Sequence, residues 1–168
     1  ARLQALCERV VTVPAPTRTL AERLRTLALS REPDMARRLW SDAFWQALVR
    51  LVEEWQPDVV EIEGIELGRY ALLLRERYGP RPAILFDDHN AEYVLQQRAF
   101  ETDLRHPKRW HAAAYSLLQW RRLRLFEATT CRRADRVIAV SGADRVALER
   151  LVPNLRVEVI PNCIDTTA

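Results

Sequence analysis

Four consecutive residues, Asp87-Asp88-His89-Asn90, bring two carboxyl groups, an imidazole and a carboxamide to one point of the chain. Imidazole is the side chain whose charge changes near neutral pH. His89 is therefore suited to moving a proton, or to hydrogen-bonding a sugar hydroxyl or a diphosphate oxygen; the plainer alternative is a loop histidine tied to Asp87 or Asp88. The two aspartates offer a base, a metal site or simple turn acids. Neighbouring residues on an extended chain point to opposite sides, so at most two of Asp87, Asp88 and His89 face one cleft. A metal ion needs more ligands than that at short range, and no metal site is expected. Glu61, Glu63 and Glu66 pose the same question, with Glu63, beside Gly64 at a strand end, the best placed to meet a substrate. Ser141 follows Ala139-Val140 and so lacks the Gly-x-Ser-x-Gly setting of a nucleophile. Helix capping explains it, with ligand contact as a second role. Cys7, Cys131 and Cys163 are far apart, without metal-ligand spacing, and read as reduced thiols of a cytosolic protein.

These residues sit at the ends of apolar runs. Ala83-Ile84-Leu85-Phe86 follows the turn signals Gly79-Pro80 and Pro82, the pattern of a strand buried on both faces. The same grammar, an apolar strand and then a polar terminus, recurs at 59–64, 137–141 and 157–162. Open parallel sheets bind ligands where the strands end at their carboxyl side. On that placement Glu63, Gly64, Asp88, His89, Asn90 and Ser141 converge on one edge as candidate substrate contacts, with His89 the candidate catalytic group. The β-branched run Val10-Val11-Thr12-Val13, ended by Pro14 and Pro16, reads as a further, first strand.

Between the strands the spacing turns helical. Thr19 and Glu22 have capping-box spacing for a helix through about Leu29. A second helix over 41–55 carries Phe44, Leu48, Leu51, Val52 and Trp55 on one stripe. Another follows Gly64 and stops at Gly79-Pro80. Asn90 is placed to cap a helix over 91–100. The longest helix, over 108–132, has Trp110, Ala114, Leu117, Leu118, Leu125 and Ala128 on one expected core face, with Arg121 in its middle, snorkelling or paired with an acid. Ser141 caps the last helix, with Asp144 at its third position. Strands alternating with helices predict an α/β protein, with an open parallel sheet and helices on both faces.

Length and composition bound the rest. The 168 residues suffice for one domain with a real core, and 48% hydrophobic with 29% charged residues is the balance of a globular protein. A net charge of +3 does not point to nucleic acid. The stretch 105–124 holds Arg105, Lys108, Arg109, Arg121, Arg122 and Arg124, no acid, and Trp110 and Trp120. It is suited to resting on anionic lipid or phosphate, or is simply a solvated helix face. With four glycines, none in a phosphate-loop pattern, neither a dinucleotide fingerprint nor a Walker loop can be written, so no bound cofactor is expected. No signal peptide is apparent, and the first residues read as the end of a helix in a longer chain.

The run Ala134-Asp135-Arg136-Val137-Ile138-Ala139-Val140-Ser141 and, after a helix, Val157-Glu158-Val159-Ile160-Pro161-Asn162-Cys163-Ile164-Asp165 resemble the GT-B glycosyltransferases of family 4. Asp88-His89-Asn90, with Glu92 just beyond, is similar to the family's histidine-bearing loop, and Cys163 stands where the family pattern has glycine. The resemblance implies two Rossmann-like domains facing a cleft, of which residues 1–161 would be most of the amino-terminal, acceptor-side one. Residues 162–168 would begin the linker to a donor-binding domain, with Asn162 in the hinge. It implies a metal-independent, retaining hexosyl transfer from a nucleotide-sugar to a carbohydrate or lipid-linked acceptor, of the kind that builds cell-envelope polysaccharides. His89 would approach the donor sugar or its diphosphate. The expected location is cytoplasmic, with peripheral contact at the inner face of the membrane, and this chain alone is expected to be inactive. The alternatives are a non-catalytic sugar- or lipid-binding module of the same fold, and a sugar-phosphate epimerase or phosphorylase. A phosphoacceptor receiver is weak, because Lys108, the only lysine, lies at a helix start and not at a strand end.

Overall fold

In a computed structural model, residues 2–163 are described. The helices are α1 (Arg2–Leu6), α2 (Leu20–Leu29), α3 (Asp34–Arg38), α4 (Asp42–Trp55), α5 (Gly68–Tyr78), α6 (Glu92–Leu104), α7 (Trp110–Arg133) and α8 (Gly142–Leu151). The strands are β1 (Val59–Glu63), β2 (Ala83–Asp88), β3 (Arg136–Ala139) and β4 (Val157–Val159). They form one four-stranded sheet in the order β1-β2-β3-β4, parallel throughout, so every connection carries at least one helix. The fold is Rossmann-like α/β, as the alternation of elements predicts.

The register explains the core. Ile62, Phe86, Val137 and Val157 are successive partners across the four strands, and all four side chains are buried. On β2 the buried positions are Ile84, Phe86 and Asp88, two residues apart and hence on one face. That parity sends Asp88 into the interior with Phe86, while Asp87 belongs to the opposite set. Asp135 fixes the start of this layer. Its carboxylate accepts the Ile84 N–H at 2.7 Å and pairs with Arg75, which together hold its pKa below the ordinary value despite some burial.

Several helix ends follow their local chemistry. Thr19 and Glu22 form the capping box of α2, Ser41 accepts the Phe44 N–H to start α4, and Gly79, at φ 68°, closes α5 in a conformation glycine adopts without strain. Two expectations need correction. Residues 10–13 are irregular and form no strand: β-branched residues favour the pleated state only where a neighbouring edge pairs with them, and here Val11 is left exposed.

The buried face of α7 also differs from the expected one, although Ala128 is buried as expected. Trp110, Leu118 and Leu125 are exposed, and Arg121 lies on the solvent side, so it needs neither a partner nor snorkelling. The inward stripe runs through Ser116, Gln119, Leu123, Phe126, Glu127 and Thr130. Each polar member has a use. Ser116 donates to Asp103 at 3.2 Å, Gln119 accepts the Asp34 N–H at 2.8 Å, and Thr130 returns its hydroxyl to the Phe126 carbonyl at 3.0 Å. Glu127 goes to the far end of β2.

Candidate functional site

The carboxyl ends of β1 and β2 build the candidate site. Glu63 pairs in register with Asp87, and the Gly64 N–H donates to the Asp87 carbonyl at 2.8 Å, so the chain leaves β1 directly beside the His89 loop. Gly64 has φ 80° and ψ 153°, a region open essentially to glycine alone. A Cβ added there would lie 3.0 Å from Glu66 Oε2 and 3.9 Å from His89 Nδ1. Gly64, Glu66 and His89 therefore share one small volume, with Glu66 steadied by its ion pair to Arg38. Gly64→Ala is expected to cost about 1–3 kcal/mol in backbone strain and to push Glu66 aside. A urea denaturation midpoint unchanged from the parent would contradict this.

His89 stands at the rim with half its side chain exposed, and its Nε2 is 4.0 Å from Asp87 Oδ2. The imidazole is available to an incoming ligand, with the Asp87 carboxylate beside it but beyond hydrogen-bonding distance. Asp87, Glu63 and Asn90 lie on the same edge, and Glu63 and Asn90 are exposed. Asp88 is different. The expected substrate contact does not fit its position: the side chain is fully buried and neither of its oxygens receives a hydrogen bond from a protein donor. It faces Glu127, from the C-terminal third of α7, which is also fully buried. Burial, followed by the charge of Glu127, drives the pKa of Asp88 well above the ordinary value; burial also raises Glu127, to about 7.

Asn90 does not cap α6, contrary to expectation. Its carboxamide reaches only Glu92, at 3.5 Å, and the helix begins at Glu92, one residue later than a helix capped by Asn90 would. The free N–H groups are taken by carboxylates from distant elements. Glu127 accepts from Glu92 N–H and Tyr93 N–H, each at 2.8 Å, and Asp144 of α8 accepts from Ala91 N–H at 3.1 Å. A carboxylate at a helix N-terminus meets both unpaired donors and the positive end of the helix dipole.

Ser141 caps α8 as expected, its Oγ accepting the Asp144 N–H at 3.2 Å while its hydroxyl donates to the Asp144 carboxylate. Through Asp144 it connects to the His89 loop, and its own side chain is half-buried. Asn162 is exposed beyond β4, where the Ile160 N–H donates to the Ala139 carbonyl at 3.0 Å. The remainder of the proposed linker, residues 164–168, lies outside the described residues. Sequence reasoning passed over Glu127. Its one signal is an acid inside the apolar run Leu125-Phe126-Glu127-Ala128, which an apolar-periodicity reading assigns to solvent.

A cavity of about 590 Å3, lined by Val52, Tyr78, Pro80 and Pro82 among others, lies at the opposite, amino-terminal ends of β1 and β2. Parallel sheets place their chemistry at the carboxyl ends, so the His89 edge is preferred. Among the described residues no three His, Cys, Asp or Glu side chains are grouped to hold a metal ion, and no helix is long and apolar enough to cross a membrane.

A comparison with curated proteins finds no match. The model of Glycosyltransferase Family 4 matches residues 1–168. With a parallel Rossmann-like sheet whose carboxyl edge presents His89, the chain belongs to glycosyltransferase family 4, in the place of that family's amino-terminal GT-B domain.

Proposed function

We propose that this chain is the acceptor-side half of a glycosyltransferase that moves a hexosyl group from a nucleotide-sugar to a carbohydrate or lipid-linked acceptor. The transfer retains anomeric configuration and uses no active-site metal, and the product belongs to cell-envelope polysaccharide. The observation that carries the reading is the placement of His89, exposed on a loop whose backbone is tied down from α7 and α8. A half-exposed imidazole on a rigid mount is suited to meeting the sugar or diphosphate of a donor held by a facing domain. Glu63, Gly64 and Asn90 border the same opening and would shape the acceptor side, Ser141 would support it through Asp144, and Asn162 would lie in the hinge. The protein works at the cytoplasmic face of a membrane, where the exposed Trp110, Lys108 and Arg109 at the start of α7 are suited to peripheral contact with anionic lipid.

The test is nucleoside diphosphate release by the full-length protein against a panel of nucleotide-sugars, with this chain alone in parallel. Release with one donor by the full-length protein, and none by the chain alone, is the expected result. Turnover by the isolated chain would refute the division of labour. A folded full-length protein that releases nothing with any donor would favour a binding module.

A further inference from the structure

We propose that Glu127 is the positioning residue of the His89 loop, a buried carboxylate that holds the first N–H groups of α6 while Asp88 carries the proton that the two acids share. The loop is short. Asp88 ends β2, His89 and Asn90 follow, Ala91 is tied to Asp144, and Glu92 and Tyr93 are tied to Glu127. The residues on both sides of His89 and Asn90 are thus fixed, Asp88 by its strand and Ala91, Glu92 and Tyr93 by carboxylates from other elements, and His89 is the point where the chain emerges. That this placement serves sugar transfer rests on the function proposed above; the clamp itself does not.

The protonation states follow from the donors. Glu127 accepts two backbone N–H bonds, one on each oxygen, and that arrangement favours its ionised form. Asp88 receives none, so its stable state is the neutral acid, donating its own O–H to Glu127. Two ionised carboxylates buried side by side would repel with nothing to offset the loss of water. The other groups facing the pair do not relieve it. Glu92 on α6 and Asp144 on α8 add negative charge, and both the Tyr93 hydroxyl and the Cys131 thiol are held neutral, chiefly by burial. Arg124 and Arg150 act on Tyr93, Arg132 on Cys131, and Arg38 on Glu92.

The sign of the pH effect is opposite to that of an ordinary ion pair. The proton is on Asp88, whose pKa folding raises, so the stability it contributes is fully present below the unfolded value of 3.8 and is lost as pH rises toward the raised folded value. Each proton so held changes the unfolding constant by about tenfold per pH unit within that window.

The experiment uses the full-length protein and two isosteric variants, Asp88→Asn and Glu127→Gln. The asparagine amide can donate to Glu127 as the acid does, so Asp88→Asn is expected to keep the Glu92 and Tyr93 amides protected from hydrogen exchange and to flatten the fall in stability with pH. Glu127→Gln places an NH2 group against one of two backbone donors, and exchange at those amides is expected to rise about tenfold or more. Its kcat is expected to fall about ten- to a hundredfold, with the donor KM within about threefold, because a displaced group loses rate rather than ground-state binding. Infrared spectra of the parent protein should contain a protonated-carboxyl band that Asp88→Asn removes.

Unchanged amide protection in Glu127→Gln, or no such band in the parent, would overturn the proposal. Should Glu127→Gln not fold, the parent's band and pH profile decide the matter without it. Should the clamp behave as expected while His89→Ala has no effect on turnover, the proposed function fails and the clamp stands.

Discussion

Replacing His89 by alanine in the full-length protein is expected to lower nucleoside diphosphate release by about 10²–10⁴-fold while leaving the unfolding midpoint unchanged. The rate effect is the size found when a positioned proton donor, or a hydrogen-bond donor aimed at developing charge, is removed. The unchanged stability follows from the surroundings. His89 is half exposed, and its nearest charged neighbour, Asp87, is 4.0 Å away, too far for a hydrogen bond. Truncating such a side chain opens no cavity and strands no buried donor. The measurement is steady-state release at saturating donor, paired with thermal unfolding of the same preparations. A variant within about threefold of the parent rate would remove His89 from the mechanism. A variant that loses rate and stability together would mean that the imidazole holds the loop rather than meeting the substrate.

The parts of this protein visible in its sequence are those where local chemistry and tertiary packing agree. The four strands, the Thr19 capping box, the Ser41 and Ser141 caps and the parallel topology follow from turn residues and apolar runs, which act over a few neighbours. The placement of His89, Gly64 and Glu63 at the carboxyl ends of β1 and β2 was legible because a strand end fixes position without any knowledge of side-chain contacts. The misses arise where distant groups replace local ones. Asn90 has the chemistry of a cap, yet α6 is capped from α7 and α8, at sequence separations of 34, 35 and 53 residues, which no spacing rule encodes. The buried face of α7 was misjudged for the same reason. Its inward side chains include Ser116, Gln119, Glu127 and Thr130, each satisfied by a specific partner, while Trp110 and Leu125 face outward. Burial of Asp88 was partly legible: the period of two that buries Ile84 and Phe86 continues to Asp88, but a second buried acid was needed to make that placement tolerable.

Phe86→Ala is expected to destabilise the domain by about 3–5 kcal/mol, the largest stability loss we expect from a single side chain here. Phe86 is fully buried at the centre of β2, between Ile62 on β1 and Val137 on β3. Truncation loses the transfer energy of the ring and leaves a cavity that strands pinned on both sides cannot close. The unfolding midpoint should drop by on the order of 10 °C, and Phe86→Leu, which keeps most of the volume, should recover the greater part of it. The consequence for function separates packing from positioning. Phe86 lies two residues before Asp88, yet the His89 loop is held by Glu127 and Asp144 through backbone N–H groups and not by the ring. Well below its lowered midpoint, Phe86→Ala should therefore turn over substrate at close to the parent rate per folded molecule, whereas Glu127→Gln should not. If Phe86→Ala loses rate at temperatures where unfolding measurements find it fully folded, the core layer sets the geometry of the loop, and the carboxylate clamp is only part of what holds His89 in place.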